Sequence, residues 1–170
     1  PPVQSFPFPR YRAERIAGRL AQERPFSPES MKEIHRDIRS LQAEETLARL
    51  ERYLEGAPEG RQLLEWDRRF DTGSRAATLY RDFHEELARR LCVNRFCSAE
   101  GWDSVFRGSF LYLAVQERLE AGWGTTEDPW SDVDWDEVVR ASLEAARARS
   151  PKGPAPWGRI NKIHMRHILL

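Results

Sequence analysis

Cysteine, lysine, long apolar runs and excess charge of either sign are all scarce in this chain of 170 residues. Basic and acidic residues number 27 each and interleave along the chain, so the formal net charge is zero. Phosphate backbones and anionic lipid surfaces select a basic patch or stripe. The balance therefore argues against nucleic acid and membrane surfaces as partners. Only Lys32, Lys152 and Lys162 are lysine, a bias toward arginine that follows genome composition as readily as function. No apolar stretch approaches the ~20 residues of a membrane-spanning helix. The longest, Phe106 to Val115, is broken by Arg107, Gly108 and Ser109, and a soluble chain is expected. The sequence opens Pro1-Pro2-Val3 with no charged-then-apolar leader and stops in an apolar run, Ile168-Leu169-Leu170. Both ends read as cuts within a longer protein.

The two cysteines, Cys92 and Cys97, are spaced C-x4-C. This suits neither a CxxC redox pair nor, without two more ligands nearby, a zinc site. A local disulfide in an exported protein and two free thiols in a reduced one both remain open. GxSxG, HExxH, P-loop and GxGxxG motifs are absent, and the serines fall at caps and turns. The run Asp132-x-Asp134-x-Asp136 resembles the opening of a calcium loop. Glu137 replaces the glycine that loop needs, however, and Leu143 stands at its closing carboxylate position. Acids feeding a helix N-terminus are the expectation. His164 and His167, three apart in a segment read as extended, face opposite sides and make poor co-ligands. His35 and His84 lie in helices beside apolar stripes and are expected at the edge of the core. Trp66, Trp102, Trp123, Trp130, Trp135 and Trp157 are scattered among acids, which favours packing over a stacking platform for single strands. Neither a metal nor a cofactor is expected.

What the chain does have is helical periodicity. A hydrophobic content of 40% suffices for one cored domain. Four prolines in residues 1–9 resist helix and read as an extended strap. From Arg10, apolar residues at Ala13, Ile16, Ala17 and Leu20 form a stripe that ends at Arg24-Pro25. Ser27-Pro28-Glu29 starts a second helix, with a kink near Arg39-Ser40, that runs to Gly56-Ala57-Pro58. Pro58 opens a third, shorter helix through Trp66. Leu79, Phe83, Leu87 and Leu91 recur every fourth residue in a fourth helix that ends at Cys92. Glu100 to Glu120 and Asp134 to Arg149 complete about six helices. A mainly α fold follows, with a helical subdomain over residues 10–149. A Pro-rich strap over 150–170 ends in a segment from Trp157 onward that reads as a β-strand of a sheet lying elsewhere in the parent.

The order of four short stretches resembles the β chain of the penicillin acylase family. They are Tyr11-Arg12-Ala13-Glu14-Arg15-Ile16; Ser27-Pro28 followed by Asp37, Ser40 and Ala43; Leu64-Glu65-Trp66-Asp67; and Trp157-Gly158 with Asn161, His164 and His167. The resemblance runs from about Arg10 to the C-terminus. It implies an amidohydrolase of the N-terminal-nucleophile type, in which a serine freed by self-cleavage attacks the acyl amide with its own α-amino group as base. That serine falls well upstream of this segment. The family's oxyanion asparagine falls shortly before the match to Tyr11, and residues 1–9 hold no asparagine. No catalytic residue is expected in this chain, and the chain alone is expected to be inactive. The implied partners are the α chain, the catalytic part of the β chain and, through the parent, a small acyl amide substrate. The implied compartment is periplasmic or extracellular.

One site residue carries over. The family's arginine in its RAxRI-like motif lines the substrate pocket and matches Arg15; Arg12 is the weaker candidate. The family often has glycine after Trp-Asp, where this chain has Arg68, and the segment from Cys92 to Cys97 matches nothing in the family's pattern. The competing readings are a free-standing helical interaction domain, whose stripes would close on themselves, and a metal-dependent helical enzyme, which would need acids and histidines to converge.

Overall fold

The computed structural model describes residues 10–22, 25–93, 95–106 and 130–162. Among these the chain is helical, with two isolated β-bridges and no strand. No helix among them is long and apolar enough to cross a membrane. The strap at 1–9, Trp123, His164 and His167 fall outside the described residues.

The first helix, α1 (Tyr11–Gln22), buries Tyr11, while Ile16 and Leu20 are half-buried and Ala13 and Ala17 face solvent. Its stripe thus rests only partly on the body, against α3 (Leu41–Leu54). The Ser27-Pro28 signal works as the sequence predicts. Ser27 caps α2 (Pro28–His35) by accepting from the Ser30 amide at 3.0 Å, and the Ser30 hydroxyl accepts from the Ser27 amide at 3.0 Å.

The kink expected near Arg39-Ser40 is a complete break. Residues 36–40 leave the helix because two side chains offer the backbone better partners. The Asp37 carboxylate accepts from the Arg39 amide at 3.0 Å, and Ser40 caps α3 by accepting from the Ala43 amide at 3.1 Å. The freed backbone then pairs with the loop that follows α4 (Pro58–Glu65). The Ser40 amide donates to the Arg68 carbonyl at 2.9 Å, and the Phe70 amide donates to the Ile38 carbonyl at 3.1 Å.

The central element is α5 (Arg75–Cys92), capped by Ser74. Leu79, Phe83, Leu87 and Leu91 are buried as their spacing predicts, and so are Ala77, Tyr80, Ala88 and Cys92 on the other faces. A helix buried nearly all round is a core helix rather than an amphipathic one. Along it lies α7 (Trp135–Arg149), which buries Val139, Leu143 and Ala146 and reaches back through Arg149 to Asp82, Glu85 and Glu86 at 3.4, 3.1 and 2.5 Å. Of the helix expected over Glu100 to Glu120, the described part is a short α6 (Ala99–Gly101) that continues as a π turn over Trp102–Phe106, with Trp102 buried, and the rest lies outside the described residues.

The Pro-rich strap folds back onto the start of α5. The Trp157 amide donates to the Ser74 carbonyl at 2.9 Å and the Gly158 amide to the Thr72 carbonyl at 2.8 Å. These ties, together with a φ of −56° at Pro156, curl Trp157–Ile160 into one helical turn, α8. Within the described residues this turn stands where a strand was expected. Cys92 and Cys97 are both free thiols, and burial, followed by the neighbouring Cys97, pushes the Cys92 thiol up to about 12.

One close approach fixes the α3–α4 hairpin. A Cβ on Gly60 would lie 2.0 Å from the Leu54 carbonyl oxygen, whereas one on Gly73 would meet nothing within 4 Å. Gly60→Ala is therefore expected to cost about 3 kcal/mol, at the upper end of overpacking. Gly73→Ala is expected to change stability by less than about 0.5 kcal/mol, and urea unfolding of the pair checks both.

Candidate functional site

The break between α2 and α3 opens a cleft against α1. Tyr11, Arg12 and Arg15 come from α1, and residues 37–42 supply the facing wall. Phe70 also lines the cleft, and the space is about 530 Å³. Three guanidinium groups line it, and the structure gives each a different task. Arg12 donates to the Asp37 carbonyl at 2.8 Å and to the His35 carbonyl at 3.5 Å, so its fork is taken up by the frayed end of α2. Arg39 donates through Nε and Nη2 to Glu44 Oε2 at 3.1 and 2.9 Å. Arg15 donates through Nε alone, to Asp37 Oδ2 at 2.7 Å. Among the described residues its Nη1 and Nη2 have no partner.

The Arg15–Asp37 pair is well sheltered, with side-chain exposures of 24% and 4%. Burial pushes the Asp37 carboxyl up, but the Arg39 amide and the Arg15 guanidinium outweigh it and hold the carboxyl below its ordinary value. Asp37 is thus an anion at neutral pH, pinned by the backbone on one oxygen and by Arg15 on the other. A planar guanidinium fixed at Nε still presents paired donors, which suits a carboxylate or a carbonyl oxygen gaining negative charge.

The other residues singled out from sequence behave structurally. Asp134 caps α7 by accepting from the Glu137 amide at 3.1 Å, Asp132 pairs with Arg95 at 2.7 Å, and Asp136 lies exposed in the helix's first turn. The acids do feed a helix N-terminus. Among the described residues no three His, Cys, Asp or Glu side chains are grouped to hold a metal. The His35 side chain is exposed, while His84 is buried beside Tyr80 with ring centroids 5.4 Å apart. Trp66, Trp102 and Trp130 are core residues, and Trp135 and Trp157 are half-buried. Asp37 is the site residue that sequence reasoning missed. It entered only as one of the residues carrying a resemblance, although an acid two residues before an amide it can accept from is a helix-breaking signal.

The model of one family, penicillin amidase, matches residues 2–170, nearly the whole chain. The chain belongs to the penicillin amidase family. A relative in it, penicillin acylase 2 proenzyme of Pseudomonas sp. (strain SE83), is 42% identical over 86 residues, which cover 48% of this chain and 11% of the relative. The chain thus spans about a tenth of the length of the curated relative it matches. The backbone gives a physical account of Arg68, which stands where the resemblance leads one to expect glycine after Trp-Asp. Its φ is 62°, in the left-handed region that glycine enters freely. The arginine offsets that cost by donating to the Leu64 carbonyl at 2.8 Å and to the Trp66 carbonyl.

Of the two described histidines in this penicillin amidase segment, burial depresses His84 to about 4. Its ring is expected to stay neutral from pH 5 upward, and imidazole chemical shifts followed by NMR check this. An unfolded histidine titrates near 6.5. The group's contribution to stability is therefore fully present above that pH and lost as pH falls toward about 4.

Proposed function

We propose that this chain is the helical segment of a penicillin-acylase-type amide hydrolase that forms one wall of the acyl-binding site and does not carry the nucleophile. Membership of the penicillin amidase family supports amide hydrolysis as the reaction of the parent. The observation that carries the role of this segment is Arg15, held at Nε by the sheltered side chain of Asp37, with its terminal fork unpartnered among the described residues at a cleft. In the parent, that fork binds an anionic group of the substrate or orients the donors that meet the developing oxyanion. The nucleophile is the N-terminal serine of the processed β chain, supplied with its oxyanion asparagine by another segment. The α chain and the catalytic part of the β chain are the partners. The site is periplasmic or extracellular, as expected of such an enzyme.

The test is hydrolysis of a chromogenic phenylacetyl anilide by a full-length parent enzyme, its Arg15→Ala variant and the 170-residue chain alone. Turnover is expected in the parent and absent from the isolated chain. Robust hydrolysis by the chain alone would overturn the division of labour. Arg15→Ala is expected to lower kcat/KM by about 10- to 100-fold, matching a charge-assisted hydrogen bond of ~1.5–3 kcal/mol. Unchanged turnover, with folding and self-cleavage intact, would remove Arg15 from the site.

A further inference from the structure

We propose that Asp37 is the positioning residue of this site, acting on the substrate through Arg15 by fixing the plane of its guanidinium. The inference rests on the pocket role of Arg15 and goes beyond it by naming the group that makes Arg15 competent. Three observations converge on Asp37. Its side chain is 4% exposed, so little of it is open to water. Its two oxygens have separate duties, Oδ1 accepting from the Arg39 amide at 3.0 Å and Oδ2 from Arg15 Nε at 2.7 Å. Its carbonyl accepts from Arg12 at 2.8 Å, which secures the backbone that carries the carboxylate.

The choice of nitrogen matters. A carboxylate that took both donors along one edge of Arg15 would occupy half the fork, as a bidentate pair does. A single bond at Nε holds the group near its stem, leaves both terminal nitrogens without a partner among the described residues, and restrains the guanidinium plane from turning. Long arginine side chains lose up to about 2 kcal/mol of rotamer freedom when immobilised. Asp37 makes that loss part of folding rather than part of substrate binding, which is preorganisation in the ordinary sense. Charge stays favourable as well. The Asp37 carboxylate meets the guanidinium of Arg15 and feels that of Arg19, while Arg12 sits on the neutral Asp37 carbonyl, so the carboxylate does not cancel the charge of Arg12.

A double-mutant cycle in a full-length parent enzyme tests this, with kcat and KM read separately and thermal midpoints recorded for every variant. Asp37→Asn keeps the size and an acceptor for the Arg39 amide while removing the charge. It is expected to lower kcat/KM by about tenfold, through the same parameter that Arg15→Ala changes. In an Arg15→Ala background the same substitution is expected to change kcat/KM by less than about twofold. A loss that persists in full without Arg15 would show that Asp37 acts independently and overturn the inference, as would wild-type kinetics for Asp37→Asn. If Arg15→Ala alone leaves turnover intact, the underlying pocket reading has failed, and that result is seen before Asp37 is altered. Should Asp37→Asn not fold, Asp37→Glu carries the same cycle, with a smaller loss in kcat/KM that again vanishes without Arg15 or overturns the inference by persisting.

Discussion

Everything in this segment leans on the burial of α5. A helix hidden on nearly every side gains much apolar burial but must also settle its polar side chains in a medium that penalises charge. Here Asp82, at 3% side-chain exposure, is met by Arg81 at 2.7 Å and Arg149 at 3.4 Å. His84 is neutralised by its surroundings instead. With those groups accommodated, α3, α4 and α7 can close around α5 as one core. The strap beyond α7 then returns to the start of α5, where Trp157 packs edge-on against Phe70 at 4.9 Å.

The cleft lies to one side of that core, and Phe70 joins the two. Its ring contacts Trp66 at 5.2 Å and Tyr80 at 6.3 Å, and it also lines the cleft. Toward α1 the construction changes character. The contacts there are polar and specific: Arg10 to Glu45 at 3.2 Å, Arg12 to two carbonyls, Arg15 to Asp37. Hydrophobic packing tolerates small shifts in position, whereas charge-assisted hydrogen bonds fix direction. An apolar core to hold the wall and a polar set to aim one guanidinium is a division of labour that suits a binding site on a helical support.

Much of the architecture was legible because helical period and caps are local signals. The every-fourth-residue leucines and phenylalanine of α5, the Ser27-Pro28 cap and the Pro58 start all read directly from the chain. Three features were not legible, each for a tertiary reason. The break at residues 36–40 depends on pairing with residues 68–70, thirty positions away. The turn at Trp157 depends on carbonyls of Thr72 and Ser74. The partner of Arg15 lies 22 positions on, and no spacing rule links them. Resemblance pointed to Arg15, but only the fold distinguishes it from Arg12 and Arg39 by what each already holds.

The pairing of residues 38–40 with 68–70 also bears on how the segment assembles. These two stretches enclose α3 and α4, so their hydrogen bonds can form only once a loop of about thirty residues has closed, and closing such a loop costs entropy before any contact repays it. The α3–α4 hairpin, joined by the short turn after Leu54, brings the ends together and makes that closure local in effect. Loop-closure entropy thus favours forming the hairpin before the wall of the cleft that is built on it. Sequence changes that slow the hairpin would delay the appearance of the cleft even when they touch none of its residues.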